Sequence, residues 1–353
     1  MRFVVMMLWL MLAGVLPALE PVRETRETSG RVIVWYDAAT MRMEGRGWDE
    51  PGRAFHRLPA RAEGRVTAEV WRLEANTAGL AVRFATDSAS IHARWSGGGA
   101  MQHMPATGVS GVDLYARGES GWKFVAGGRP KDGETTRTLT SGRTGMGDYR
   151  LYLPLYQKVD YLEIGVEKGS RFSQPEPANE LPIIFYGTSI VQGGCASRPG
   201  MAHTAILGRW LDREAINLGF SGSARMEPAM AELVGELDAA VYVLDCLPNM
   251  TDDLVPGRVE AFVRQLRARR PDTPIVMVGH LKDDQVAARN ERFRALVAQL
   301  QAEGDSRLFH LEGRDLLRPI EEGTVDGIHP TDLGFFWMAE AHLPVLKKAL
   351  GEE

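Results

Sequence analysis

Ile183-Ile184-Phe185-Tyr186-Gly187-Thr188-Ser189-Ile190 decides how the second half of the chain is read. Four apolar or aromatic residues in a row form a short strand buried on both faces. Gly187 then allows a tight turn. Thr188 and Ser189 stand where a helix begins, because their hydroxyls can accept from the free N–H groups of a first helical turn. A serine hydroxyl is thereby set at the carboxyl end of a strand. Gly-x-Ser alone is also an ordinary helix cap, so this stretch speaks to fold before it speaks to chemistry.

Working toward the C-terminus, strands and helices alternate. Met201 to Asp212 has helical spacing, and Ala215-Ile216-Asn217-Leu218 is strand-like. A helix is expected from Met226 to Leu237, a fully apolar strand from Ala239 to Leu244, and an amphipathic helix from Val255 to Arg269. Pro274 to Val278 is a strand, Asp284 to Glu303 a helix, Arg307 to Leu311 a strand, and Thr331 to about Leu350 a closing helix. This alternation predicts a three-layer α/β/α domain with a parallel sheet over residues 180–353. Functional groups in such sheets gather at the carboxyl ends of the strands.

Working toward the N-terminus, the polar, proline-bearing stretch 169–179 has no apolar periodicity and reads as a connection. Before it, period-two runs such as Ile91/Ala93/Trp95 and Leu162/Ile164/Val166 are separated by Gly, Pro, Asp and Ser clusters. Residues 28–172 are therefore expected to form a β-sandwich or jelly roll. Met1-Arg2 followed by the apolar run Phe3 to Leu19 reads as a signal peptide over residues 1–19, the alternative being an uncleaved N-terminal anchor, since the run is near the length that spans a bilayer. No second apolar run is long enough to span a bilayer, so no stable membrane insertion is expected after cleavage. A net charge of −5 over 353 residues provides neither a nucleic-acid patch nor a polybasic anchor.

Three further stretches fall at the expected strand ends. Asn217-Leu218-Gly219-Phe220-Ser221-Gly222 can turn its N–H groups inward, as an oxyanion pocket requires, or be an ordinary turn. Asp245-Cys246-Leu247-Pro248-Asn249-Met250 offers a side-chain amide, which a turn asparagine would offer as well. Asp326-Gly327-Ile328-His329-Pro330 can let one loop set a carboxylate against imidazole Nδ1 and leave Nε2 to take a serine proton, or be a polar loop before the last helix, which Thr331 or Asp332 could cap. No His-Glu-x-x-His, Cys-x-x-Cys, phosphate loop or Gly-x-Ser-x-Gly elbow is present, so neither a metal nor a cofactor is expected.

Taken in order, these blocks resemble the SGNH (GDSL-like) hydrolase superfamily from about Leu181 onward, with Thr188 and Ile190 in place of the usual Asp and Leu. The resemblance implies a flavodoxin-like fold, with Ser189 as nucleophile, His329 as general base and Asp326 orienting it. It implies an oxyanion hole made by the N–H groups of Ser189 and Gly222 with the Asn249 side chain. Gly111-Val112-Asp113-Leu114-Tyr115 resembles the Gly-x-Asp-Leu-Tyr motif of a β-rich domain that precedes certain SGNH esterases.

The pairing is similar to bacterial two-domain carbohydrate esterases. The expected activity is thus hydrolysis of short acyl esters, foremost acetyl, on a carbohydrate, outside the cytoplasm. A lipid esterase or thioesterase, or a sugar-binding protein with an inactive hydrolase half, are the alternatives. Arg198, His203 and His280 are candidate substrate contacts. Cys195 and Cys246 are candidates for a disulfide, since both should lie near the ends of neighbouring strands. Trp71, Trp95 and Trp122 are candidates for sugar stacking, or for core. The oligomeric state is left open.

Overall fold

The computed structural model describes residues 19–282, 286–318 and 320–352. The leader expected over residues 1–19 lies, but for Leu19, outside the described residues. Among those described, no helix is long and apolar enough to cross a membrane.

The first half is a β-sandwich. Its strands are β1 (Arg23–Arg26), β2 (Val32–Asp37), β3 (Met43–Glu44), β4 (Ala81–Thr86), β5 (Ile91–Ser96) and β6 (Val112–Gly118). They continue with β7 (Gly121–Gly128), β8 (Glu134–Thr140), β9 (Gly147–Tyr152), β10 (Leu162–Glu167) and β11 (Phe172–Ser173). One sheet runs β1-β2-β10-β5-β8, the other β11-β4-β9-β6-β7 with β3 against β4. The alternation in sequence sets the inner faces. Ile91, Ala93 and Trp95 meet Leu162 and Ile164 in one sheet, and all pack on Val82, Phe84, Leu114 and Leu151 of the other.

The second half is built on five parallel strands: β12 (Ile183–Gly187), β13 (Ala215–Gly219), β14 (Val241–Asp245), β15 (Ile275–Val278) and β16 (Leu308–Leu311). Their order is β13-β12-β14-β15-β16, the flavodoxin-like arrangement. The first strand in sequence, β12, has the next two on either side of it. The crevice of the sheet therefore opens beside Gly187 and Ser189.

Pleating sends alternate residues to two separate cores. Ile184, Tyr186, Leu218, Tyr242 and Leu244 face α5 (Pro228–Glu236), α6 (Leu254–Arg269) and α7 (Ala287–Ala302). Phe185, Val243, Val276 and Val278 face α4 (His203–Trp210) and α9 (Asp332–Leu350). Phe262 of α6 stacks on Tyr186 with centroids 5.4 Å apart. Truncating it to Ala would cost about 3–5 kcal/mol.

One segment of the first half crosses over. Residues 58–74, including α1 (Ala68–Glu74), lie within the sequence range of the sandwich, yet Leu58, Val70 and Leu73 belong to the core under β12 and β13. Arg57, 1% exposed, fastens this segment to the sheet edge. Its guanidinium donates to the carbonyls of Asn217 (3.2 Å), Gly219 (2.7 Å) and Leu73 (2.7 Å). The edge strand β13 is thus covered rather than open.

Candidate active site

Ser189 opens the short helix α3 (Ser189–Gln192), capped by Thr188, whose hydroxyl accepts from the Ile190 N–H at 3.3 Å. Gly193 ends that helix with φ 99°, a left-handed stop that favours glycine. As the first helical residue, Ser189 has an N–H without an intrahelical acceptor.

The Ser189 Oγ lies 2.9 Å from His329 Nε2, and His329 Nδ1 lies 2.7 Å from Asp326 Oδ2. The second carboxylate oxygen of Asp326 accepts from the backbone N–H groups of Ile328 (3.0 Å) and His329 (2.8 Å). Gly327, at φ 79°, supplies the bend that lets one loop do both. Partial burial works against charge on Asp326, but the His329 backbone and ring N–H groups and the Ile328 N–H outweigh it and bring the carboxyl down to about 2. A permanent carboxylate at Nδ1 keeps the proton on that nitrogen. Nε2 is then the acceptor facing the serine hydroxyl.

Beside this relay, the 220–224 loop presents Gly222 in the left-handed region at φ 68°. Its N–H has no acceptor among the described residues. Asn249, on the turn after β14, packs against that loop and donates its amide to the Ala224 carbonyl at 3.2 Å, with the Phe220 carbonyl at 3.5 Å. Two buried amides hold the floor in register. Gln192 accepts from the Ser221 N–H at 3.0 Å, and Asn217 accepts from the Gly219 N–H at 2.9 Å while donating to the Val191 carbonyl at 2.6 Å. Among the described residues no group of three or more His, Cys, Asp or Glu is placed to hold a metal.

The sandwich reaches this site. The His103 and His329 rings lie with centroids 6.0 Å apart, and Tyr156 donates its hydroxyl to the Ser189 carbonyl at 3.3 Å. Gly194 fits between them. A Cβ there would stand 2.9 Å from the Tyr156 hydroxyl and 3.2 Å from His329 Cδ2. Thr107 donates to the Ser197 carbonyl at 2.6 Å, and Ser197 in turn bonds Asp332 at the head of α9 through its N–H (2.8 Å) and its hydroxyl. Sequence reasoning passed over His103, Tyr156, Gln192 and Asn217, none of which belongs to a catalytic motif.

Residues 180–347 match the GDSL-like lipase/acylhydrolase family, and residues 33–172 match the GxDLY family, the N-terminus of SGNH-hydrolase-type esterases. A solved structure described as a GDSL-like lipase from Bacteroides ovatus is 33% identical, with a TM-score of 0.84 over 90% of this chain and 98% of that one. The chain belongs to the GDSL-like lipase/acylhydrolase family. It is an ester hydrolase by that membership. Two further structures share the fold of this GDSL-like hydrolase at lower identity. A salicylyl-acyltransferase from a tetracycline biosynthetic pathway has a TM-score of 0.71 at 19% identity, covering 94% of each chain. A family two carbohydrate esterase from Clostridium thermocellum, in complex with cellohexaose, has a TM-score of 0.56 at 14% identity, covering 78% of this chain and 96% of that one. No match is found among curated proteins.

Several residues proposed for substrate have other work in this GDSL-like hydrolase. Arg198 donates to Asp113 Oδ2 (2.8 Å) and to the Tyr115 hydroxyl (2.7 Å), and the Gly200 N–H reaches the same Asp113 oxygen at 2.8 Å. The Gly-x-Asp-Leu-Tyr motif thus grips the loop that follows Ser189. His203 is wholly buried between Phe185, Phe335 and His342, where burial holds its imidazole neutral. His280 is buried too. Its Nδ1 accepts from the Lys282 N–H at 3.0 Å, and burial, then Arg289 and Lys282, push its ring down to about 4.

The expected Cys195–Cys246 bridge is corrected: both are free, buried thiols. Cys246 shares the core of Tyr186 and Leu244 and points its thiol at the Tyr186 carbonyl, 3.6 Å away. Cys195 turns at φ 74° on the loop beyond α3, near Asp326, where burial first and then that carboxylate push its thiol up to about 11. Of the three tryptophans, Trp95 is core and donates to the Ser110 carbonyl at 2.9 Å. Trp71 packs against the core of the parallel sheet. Trp122 is half-buried beside Asp212, to which its ring N–H donates at 3.2 Å.

Proposed function

We propose that this hydrolase removes short acyl groups, acetyl foremost, from a carbohydrate by way of an acyl-enzyme. The observation that carries the reading is the unbroken relay from Ser189 Oγ through His329 to Asp326 at 2.9 and 2.7 Å. Ser189 Oγ attacks the ester carbonyl as His329 Nε2 takes its proton. The oxyanion is met by the N–H groups of Ser189 and Gly222, joined by the Asn249 amide once it turns one N–H from the longer, 3.5 Å contact with the Phe220 carbonyl. Collapse breaks the bond to the sugar oxygen, which leaves with the proton from His329. Water, deprotonated by the same imidazole, then cleaves the acyl-serine and releases the carboxylic acid.

A carbohydrate as the alcohol is supported by the shared fold with a carbohydrate esterase solved with cellohexaose. The leader expected over residues 1–19 would carry the enzyme out to polymeric glycans.

Ser189→Ala should lower turnover of p-nitrophenyl acetate, and acetate release from acetylated xylan, by roughly 10⁴-fold or more. Unchanged turnover would remove Ser189 from the mechanism. Faster cleavage of p-nitrophenyl palmitate than of the acetate by the parent enzyme would replace the short-acyl reading with a lipid-esterase one.

A further inference from the structure

A groove of about 790 Å³ lies where the sandwich meets the α/β half. Its walls carry Trp122 and Phe124 of β7, Trp210 at the end of α4, Phe336 of α9, Arg117 and Asp212. Three of these rings are open to solvent: Phe124 is 47% exposed, and Trp210 and Phe336 are 40% each. Burying such rings is favourable and leaving them in water is not. Few single-chain surfaces hold several of them in one concavity without a ligand to cover them.

The rings are fixed rather than loose. Trp210 and Phe336 meet edge to face, with centroids 5.2 Å apart and an angle of 85°. The Arg198 guanidinium lies over one face of Phe124 at 4.0 Å, and that of Arg150 lies over Trp122 at 4.3 Å. Asp212 takes both the Arg117 guanidinium and the Trp122 ring N–H. Guanidinium groups thus lie over faces of Phe124 and Trp122, and among the described residues Trp210 and Phe336 are the groove's rings with no guanidinium over them.

That combination fits one class of ligand. A pyranose presents C–H bonds on its face, which stack on a ring, and hydroxyls around its edge, which bond guanidinium and carboxylate groups. An acyl chain would ask for an enclosed apolar tunnel, and this groove is open. A second protein surface would find ion pairs where interface centres are depleted of charge.

The groove also connects to the relay. Phe336 lies one helical turn after Asp332 on α9, about 6 Å along the axis, and Arg198 follows Ser197. Ser197 and Asp332 bond each other, and Asp332 comes three residues after His329. We infer that this groove is a second glycan-binding site, holding a neutral polysaccharide beside the site where the ester is cut. The inference rests on the carbohydrate-ester reading for its biological sense, but its test is separate.

Native electrophoresis of Ser189→Ala in gels containing soluble acetylated xylan should show retarded migration. The same chain with Trp210→Ala and Phe336→Ala added should migrate as if no polysaccharide were present. In the active enzyme, the ratio of kcat/KM on acetylated xylan to kcat/KM on p-nitrophenyl acetate should fall by about tenfold with the two substitutions, the equivalent of one lost stacking contact. A melting curve shows that the variants are folded. Absence of retardation in Ser189→Ala, or retardation that survives both substitutions, would overturn the inference. So would a wild-type dimer that the substitutions convert to monomer, since the occupant would then be a second copy of the chain. Clear retardation by a wild-type protein that releases no acetate would uphold the groove and sink the esterase reading alone.

Discussion

His103 of the sandwich stands beside His329 of the α/β half, their ring centroids 6.0 Å apart and their planes tilted by 49°. His103 is exposed and follows the glycine run Gly97-Gly98-Gly99. An exposed imidazole at this distance is within reach of a substrate held at Ser189, and it can hydrogen-bond a hydroxyl of that substrate. His103→Ala should reduce kcat/KM on an acetylated disaccharide by about tenfold, mainly through KM, as loss of one hydrogen bond to substrate would. His103→Gln should recover most of it, and p-nitrophenyl acetate should respond far less. Equal losses on both substrates would place His103 in the chemistry of the relay instead.

Asp326 can be tested by Asp326→Asn, which keeps the shape but loses the charge. The amide no longer fixes the proton on His329 Nδ1, so kcat should fall by roughly 10²–10⁴-fold with little change in KM. The carboxyl, held down at about 2, is ionised at every pH above that. Its contribution to stability is complete above the unfolded carboxylate range near 4 and is lost as pH falls toward 2. Acid denaturation of Asp326→Asn should accordingly show a shallower dependence on pH in that window. A kcat within twofold of the parent would dismiss the orienting role.

Arg198 and Asp113 form a clamp rather than a substrate contact. Asp113 has no solvent exposure, so Arg198→Leu strands a buried carboxylate with the Gly200 N–H as its remaining donor. Such a break costs about 3–5 kcal/mol. The urea midpoint should drop sharply for Arg198→Leu and recover in part when Asp113→Asn is added. If the double variant is as unstable as the sum of the singles, the two residues are not coupled.

Asp245 is fully buried at the end of β14, its Oδ2 without a hydrogen-bond partner among the described residues. Burial pushes its carboxyl up to about 7, against about 3.9 in an unfolded chain. Between those values the folded chain keeps a proton that the unfolded chain has released. The stabilising contribution is whole below about pH 4, declines as pH rises toward 7, and is gone above it. Asp245→Asn should remove that slope. Its Tm should exceed the parent's at pH 8, on the order of 5 °C, with no advantage at pH 4. Identical melting curves at pH 8 would show that Asp245 titrates normally.

The parallel sheet was plain in the sequence because its strands are uniformly apolar and its helices periodic. Val255 to Arg269 was expected as a helix and Leu254–Arg269 forms one. The Asp326-x-x-His329 spacing pointed to a carboxylate–imidazole contact because both groups sit in one short loop. What comes from far away in the chain was not legible. His103 and Tyr156 approach Ser189 only through the docking of two halves, and no local pattern encodes that. Arg198 and His203 were misread for a related reason, since a lone polar residue near a nucleophile does not reveal which way it points. The disulfide failed on pleat: Cys246 alternates into the core beneath the sheet, while Cys195 lies on the turn beyond its edge. The half-exposed Trp122 and buried Trp95 have the same strand chemistry and differ only in which face the sheet covers.

The short helix Ala106–Val109 of the sandwich presses so close to the loop beyond Ser189 that a Cβ on Gly108 would stand 2.1 Å from the Ala196 carbonyl oxygen. A contact this tight makes the two halves a matched pair rather than interchangeable modules. A chimaera that joined another relative's sandwich to this hydrolase half would inherit an ill-fitting seam in the loop that follows Ser189. Such a graft would have to exchange residues 103–113 and 194–201 together to keep the seam intact.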